Sequence, residues 1–217
     1  MVGQNNMHVF WEALIITVFI FGIGIMIGIS FENSRVSSIS SLYENSEINL
    51  LDLRIQAELF DLDSADCSSL VKANAEFGDK IFEEAILLQQ LEESQTLTDS
   101  LKQEHRKYDL LRTYFWVNSI KVKQQCPGLL HTIVYLYQYD SNIGATAQQN
   151  AFSNYLSELK QSQGTSIVLI PIAGNMNLTS TEFLIKKYNI TSLPVVIIDE
   201  KDKIYTVEDL KKIPGLL

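Results

Sequence analysis

Tyr188-Asn-Ile-Thr-Ser-Leu-Pro-Val-Val-Ile-Ile-Asp199 decides how the C-terminal half of this chain is read. A polar stretch, Asn189–Ser192, leads through Leu193-Pro194 into four uncharged β-branched residues, Val195–Ile198. Proline at the start of a strand forfeits no ladder hydrogen bond. An uninterrupted β-branched run suits a strand covered on both faces. The charged turn Glu200-Lys-Asp202 follows, with Lys203-Ile-Tyr205 as a hairpin partner, and Thr206-Val-Glu-Asp209 has the form of a capped final helix.

Upstream, His131–Gln138 (HTIVYLYQ) is another uncharged, β-rich run. The polar stretch Tyr139–Thr146 separates it from a helical segment, Ala147 to about Gln161, which Gly164 ends. Ser166–Ile172 (SIVLIPI) predicts a second strand, and Thr179-Ser-Thr-Glu182 a capping box opening a helix that runs to Tyr188. The order β-α-β-α-β-β-α implies an α/β domain, a mixed sheet covered by helices.

Over residues 128–215 that order, with Leu193-Pro194 ahead of the third strand, resembles the thioredoxin-like fold. The resemblance implies that Pro194 is a cis-proline beside the family's active site. It also places the Leu193 backbone where relatives hold extended peptide, with Ser141 and Asn142 on the facing rim. Redox-active relatives carry CxxC between the first strand and its helix, where the helix N-terminus favours thiolate. Here Tyr139-Asp-Ser-Asn-Ile-Gly-Ala-Thr146 occupies that place without a cysteine. Ser141 and Gly144, or Asn142 and Ala145, keep the CxxC spacing but cannot attack a disulfide. Dithiol exchange at that site is excluded.

The N-terminus has a different character. Ala13–Ile29 (ALIITVFIFGIGIMIGI) contains no charge, and residues 9–29 are long enough to cross a ~30 Å hydrocarbon core. Phe10, Trp11 and Phe31 suit the interfacial aromatic belts. A cleaved signal peptide would want a basic n-region and a small-x-small site, and neither is present. Residues 1–35 are therefore expected to be a single transmembrane anchor whose partner is the lipid bilayer. Gly24 and Gly28 form a GxxxG pair through which a homo-oligomer could form, although glycine is common in such helices anyway. Arg35 alone would place the large domain in the cytoplasm. Two widely spaced cysteines and the sequons at Asn177 and Asn189 point outward, and an extracytoplasmic domain is the expectation.

Residues 36–125 read as an acidic helical stalk or bundle, and residues 126–217 as the thioredoxin-like domain. From residue 40 to 125 there is one glycine, Gly78, and no proline, with nine basic against sixteen acidic side chains. Three helical stripes appear: Leu51, Ile55, Leu59 and Leu62; Leu70, Phe77, Ile81, Ala85 and Leu88; Leu97, Leu101, Tyr108, Leu111, Phe115 and Val122. Breaks are expected near Asp61–Asp66 and Ser94–Thr98. His105, in Glu-His-Arg-Lys, reads as part of a charged face with no second metal ligand nearby. Cys67, near the start of the second helix, and Cys126, just after the third, are expected to form a structural disulfide if the helices run antiparallel. Two buried free thiols, or an exchangeable pair, are the competing readings.

A net charge of −9, from 17 basic and 26 acidic residues among 217, argues against nucleic-acid binding. There is no phosphate-binding glycine loop, HExxH motif or cysteine cluster, so no metal, cofactor or catalytic residue is expected. The leading expectation is a membrane-anchored, redox-inactive module that binds a protein or extended peptide by backbone pairing beside Leu193-Pro194. The alternatives are a membrane-tethered thiol-disulfide oxidoreductase or isomerase using Cys67 and Cys126, and a purely structural assembly element.

Overall fold

The computed structural model describes residues 6–62, 66–93 and 99–216. Side chains at 6–7, 32–43, 45–46, 59–62, 87, 90–93, 99–101 and 104 lie outside that description. The expected helix breaks at 61–66 and 94–98, and the side chains of Arg35, Leu59, Leu62, Leu97 and Leu101, thus fall wholly or largely outside it. The chain divides into two compact units, Met1–Asn45 and Ser46–Leu217.

In the first unit, His8–Phe31 is a helical stretch of 24 residues, long and apolar enough to span a membrane, and none of it is buried. At ~1.5 Å per residue it covers about 36 Å. Its only hydroxyl before Ser30, that of Thr17, donates to the Ala13 carbonyl at 2.8 Å, so it needs no partner outside the helix. No atom lies within 4 Å of a Cβ built on Gly24 or Gly28.

The second unit takes in α1 (Asn6–Leu62) from Ser46 onward, then α2 (Cys67–Glu93) and α3 (Asp99–Gln125). β1 (His131–Tyr137), α4 (Ile143–Gln163), a 3-10 turn (Gly164–Ser166) and β2 (Ile167–Ala173) follow. Next are α5 (Thr179–Lys187), β3 (Val195–Ile198), β4 (Asp202–Ile204) and a last 3-10 helix (Glu208–Gly215). The sheet order is β2-β1-β3-β4. β1 is parallel to β2, from His131 opposite Ile167 to Tyr137 opposite Ala173. It is antiparallel to β3, from Ile133 opposite Ile198 to Leu136 opposite Val195.

Both faces of the sheet are covered, which is why β1, β2 and β3 carry no Asp, Glu, Lys or Arg. Val134, Leu136, Val168, Ile170, Val195 and Ile197 pack with Leu70, Phe77 and Ile81 of α2 and with Leu111, Phe115 and Trp116 of α3. On the other face Ile133, Tyr135, Leu169 and Val196 meet Phe152 and Leu156 of α4 and Leu210 and Ile213 of the last helix. The core therefore runs across the expected division at 125–126, with α2 and α3 forming one layer of the sheet domain.

Several local expectations shift. α4 begins at Ile143, four residues early, because the Asn142 side chain accepts from Ala145 N–H at 3.0 Å and caps the helix. α5 starts at Thr179 behind Leu178, without a side-chain cap, so the expected capping box is absent. Thr206 and Asp209 do pair, the Thr206 hydroxyl donating to the Asp209 carboxylate at 2.6 Å and accepting from its N–H at 3.3 Å, but one residue ahead of Val207, the N-cap, which makes no side-chain bond. The helix that follows is 3-10, eight residues long and containing Pro214. Among the described side chains of α1, Leu53 and Ala57 are buried, whereas Leu51 and Ile55 are exposed. That helix carries apolar residues on more than one face, and its stripe alone does not fix which one turns inward.

The Leu193-Pro194 bond is cis. Cys67 and Cys126 form a disulfide, with sulfurs 2.05 Å and Cα atoms 5.6 Å apart. The β3–β4 turn sits one residue early, at Asp199-Glu200, closed by Lys201 N–H donating to the Ile198 carbonyl at 3.0 Å.

Candidate functional site

β1 ends by feeding the chain into the connection to α4, and two side-chain amides fix its course. Gln149 accepts from Gln138 N–H at 2.6 Å and donates to the Gln138 carbonyl at 3.1 Å and the Ser141 hydroxyl at 3.1 Å. Asn175 accepts from Tyr139 N–H at 2.7 Å and donates to the Tyr139 carbonyl at 2.9 Å. Each amide pairs with the backbone as a neighbouring strand would, which lets Asp140 hold a left-handed φ of 53°. Ser141 and Thr146 share a hydroxyl–hydroxyl bond of 2.9 Å.

α3 faces this connection with His105, Asp109 and Arg112, spaced i, i+4, i+7 on one face and all essentially buried. His105 Nε2 lies 2.9 Å from the Tyr137 hydroxyl and 3.4 Å from Asp109 Oδ2. Its ring rests against that of Tyr139, centroids 4.4 Å apart. Asp109 Oδ1 accepts from Ala173 N–H at 3.1 Å and from Arg112 at 3.3 Å. The Arg112 guanidinium also reaches the Tyr137 hydroxyl at 3.5 Å and stacks 4.0 Å above the Tyr108 ring. Burial works against the Arg112 charge, but Tyr108, Tyr137 and Asp109 outweigh it and hold the group protonated. Burial pushes the Tyr108 and Tyr135 phenols up, so both are proton donors at any physiological pH.

Between these elements lies an open cleft of about 490 Å³. Its walls include His105, Arg112, Tyr135, Tyr137, Ser141 and Thr146. The volume falls within the ~300–1,000 Å³ usual for small-ligand sites. The Ser141 hydroxyl bonds to Thr146 and Gln149, not to an imidazole. His105 directs one ring nitrogen, Nε2, to both Tyr137 and Asp109. Among the described residues no group of three or more His, Cys, Asp or Glu side chains is placed to hold a metal.

Of the residues singled out from sequence, Ser141 lines the cleft, while Asn142 is committed to capping α4. Leu193 and Pro194 precede Val195, the partner of Leu136, and so lie at the same end of β1. Neither walls the cleft: Leu193 packs on the α2/α3 side of the core, close to Gly174 and Ile185. The disulfide stands at the opposite end of β1, which at ~3.3 Å per residue is about 20 Å long. His105 is a correction, being buried in a polar network and not on a charged face. A signal existed. His105, Asp109 and Arg112 interleave with Tyr108, Leu111 and Phe115 at the spacing of one buried helix face.

Comparison with family models, with curated proteins and with solved structures finds no match for this chain.

Proposed function

We propose that the chain is a membrane-anchored, redox-inactive thioredoxin-like protein whose sheet domain, on the extracytoplasmic side, binds extended peptide or a partner protein. One observation carries the reading. The Tyr139–Thr146 connection, where relatives would hold their thiols, walls a cleft and has no sulfur, while both cysteines are joined about 20 Å away. The sheet order and the mixed pairing of β1 support the family assignment. The ligand would pair with backbone beside Leu193-Pro194 and lay side chains against the cleft.

The test uses the full chain in lipid nanodiscs, a random hexapeptide library and an insulin-reduction assay. Peptide binding weakened at least about tenfold (~1.4 kcal/mol) by Ser141→Trp, with no insulin turnover, is the expected result. Robust turnover abolished by Cys126→Ser would overturn it in favour of a thiol-disulfide enzyme.

A further inference from the structure

We infer that the cleft is a carboxylate-binding site in which Arg112 anchors the anion, the carboxylate belonging to a peptide's C-terminus or to an acidic side chain. The inference rests on, and narrows, the peptide-binding reading. A guanidinium is always protonated, and burying it requires compensation. Arg112 is 2% exposed, and although its charge is stabilised its hydrogen bonding is incomplete. Its contacts with Asp109 and the Tyr137 hydroxyl measure 3.3 and 3.5 Å, against about 2.7–2.9 Å for a strong charge-assisted bond. Among the described residues its Nε has no hydrogen-bond partner.

Asp109 does not serve Arg112 alone. One oxygen is shared with Ala173 N–H and the other lies by His105, so its charge is divided among three donors. The Tyr108 ring beneath the guanidinium fixes its plane, which orients the fork ahead of any ligand. A carboxylate matches that planar fork in a way a neutral amide does not. The remaining walls agree. Among the described residues, Asp140 is the one carboxylate lining the cleft and is exposed, whereas Arg112 and His105 are buried basic groups of its wall.

The experiment follows the Arg112 Nε resonance of ¹⁵N-labelled full-length protein in nanodiscs. A tripeptide library is titrated in three forms: free acid, C-terminal amide, and amide with an internal Asp or Glu. Free acids should bind at least about tenfold more tightly than neutral amides and move the Arg112 resonance. Retained affinity in the acidic amides would assign the carboxylate to a side chain, and its loss to the C-terminus. Arg112→Lys keeps the charge beside Asp109 but not the fork, and should erase the acid–amide preference. The wild-type resonance carries the test if that variant does not fold. Acids and amides binding alike, with Arg112 Nε unmoved, would overturn the carboxylate site and leave peptide binding standing. If no peptide binds but succinate moves the resonance, the site stands and the peptide reading falls. A resonance that neither peptide nor succinate moves removes the inference.

Discussion

Asp199 and Glu200 adopt left-handed backbone, φ 50° and 60°, at the centre of the β3–β4 turn, where Asn-Gly would be the easier choice. Their side chains account for the exception. Lys123 Nζ lies 2.6 Å from Asp199 and 2.7 Å from Glu200, His131 Nδ1 lies 2.7 Å from Asp199, and Trp116 Nε1–H donates to Glu200 at 2.9 Å. Burial alone would raise the Asp199 carboxyl, but hydrogen bonds from Lys123, His131 and Thr132 N–H prevail and hold it below its ordinary 3.8. A carboxyl lowered by folding stabilises the native state above its unfolded value and ceases to as pH falls through the native one. Asp199→Asn should therefore lower stability by about 2 kcal/mol at pH 6. The gap from wild type should close as pH falls below 3.8, which urea unfolding across the acid range would measure. An equal gap at pH 6 and pH 2 would refute the assignment. None of these partnerships was legible in the sequence. Asp199 reads there as the end of a strand, and its partners Lys123 and His131 lie 76 and 68 residues away.

At the scale of elements, α2 packs tightly on the sheet at Gly78. A Cβ built there would stand 3.1 Å from Val168 Cγ1 and 3.2 Å from Phe115 Cζ, both on fully buried side chains. Gly78→Ala gains about 1 kcal/mol of helix propensity. It loses roughly 1–3 kcal/mol to overpacking. The expected net is a loss of about 1 kcal/mol in chemical denaturation, and Gly78→Val should lose more. The disulfide ties the start of α2 to the end of α3 across 58 intervening residues. Replacing both cysteines by serine should cost about 4 kcal/mol in the loop-entropy treatment while leaving peptide binding at the far end of β1 intact. Loss of binding in a variant that remains folded would show that the two ends of the domain are coupled. The stripes of α2 and α3 were readable because their apolar residues recur on one face. β1 to β3 were readable because strands covered on both sides are free of charged residues, and β4 because a charged turn follows β3. Start positions were harder to read, since a single Asn142 bond moves a helix end by a turn. The cleft was hardest, since a buried polar face and a solvated one are written in the same residues.

At the scale of the whole molecule, deleting residues 1–45 should move the protein from the alkali-resistant membrane pellet to the soluble fraction, read by carbonate extraction. A truncated protein still in the pellet would mean that something besides the His8–Phe31 span holds it there. The sheet has a property that matters more on a membrane than in solution. β2 is an edge strand, and three of its backbone positions are closed to a further strand. Asp109 takes the Ala173 N–H, Lys160 donates to the Ile167 carbonyl at 2.8 Å, and Pro171 has no N–H to offer. Anchored copies confined to a plane meet far more often than copies free in three dimensions, and an open edge would invite them to polymerise strand against strand. Each position closed on β2 removes a rung from that edge, which disfavours such pairing if the proposed anchor crowds the domain on a surface.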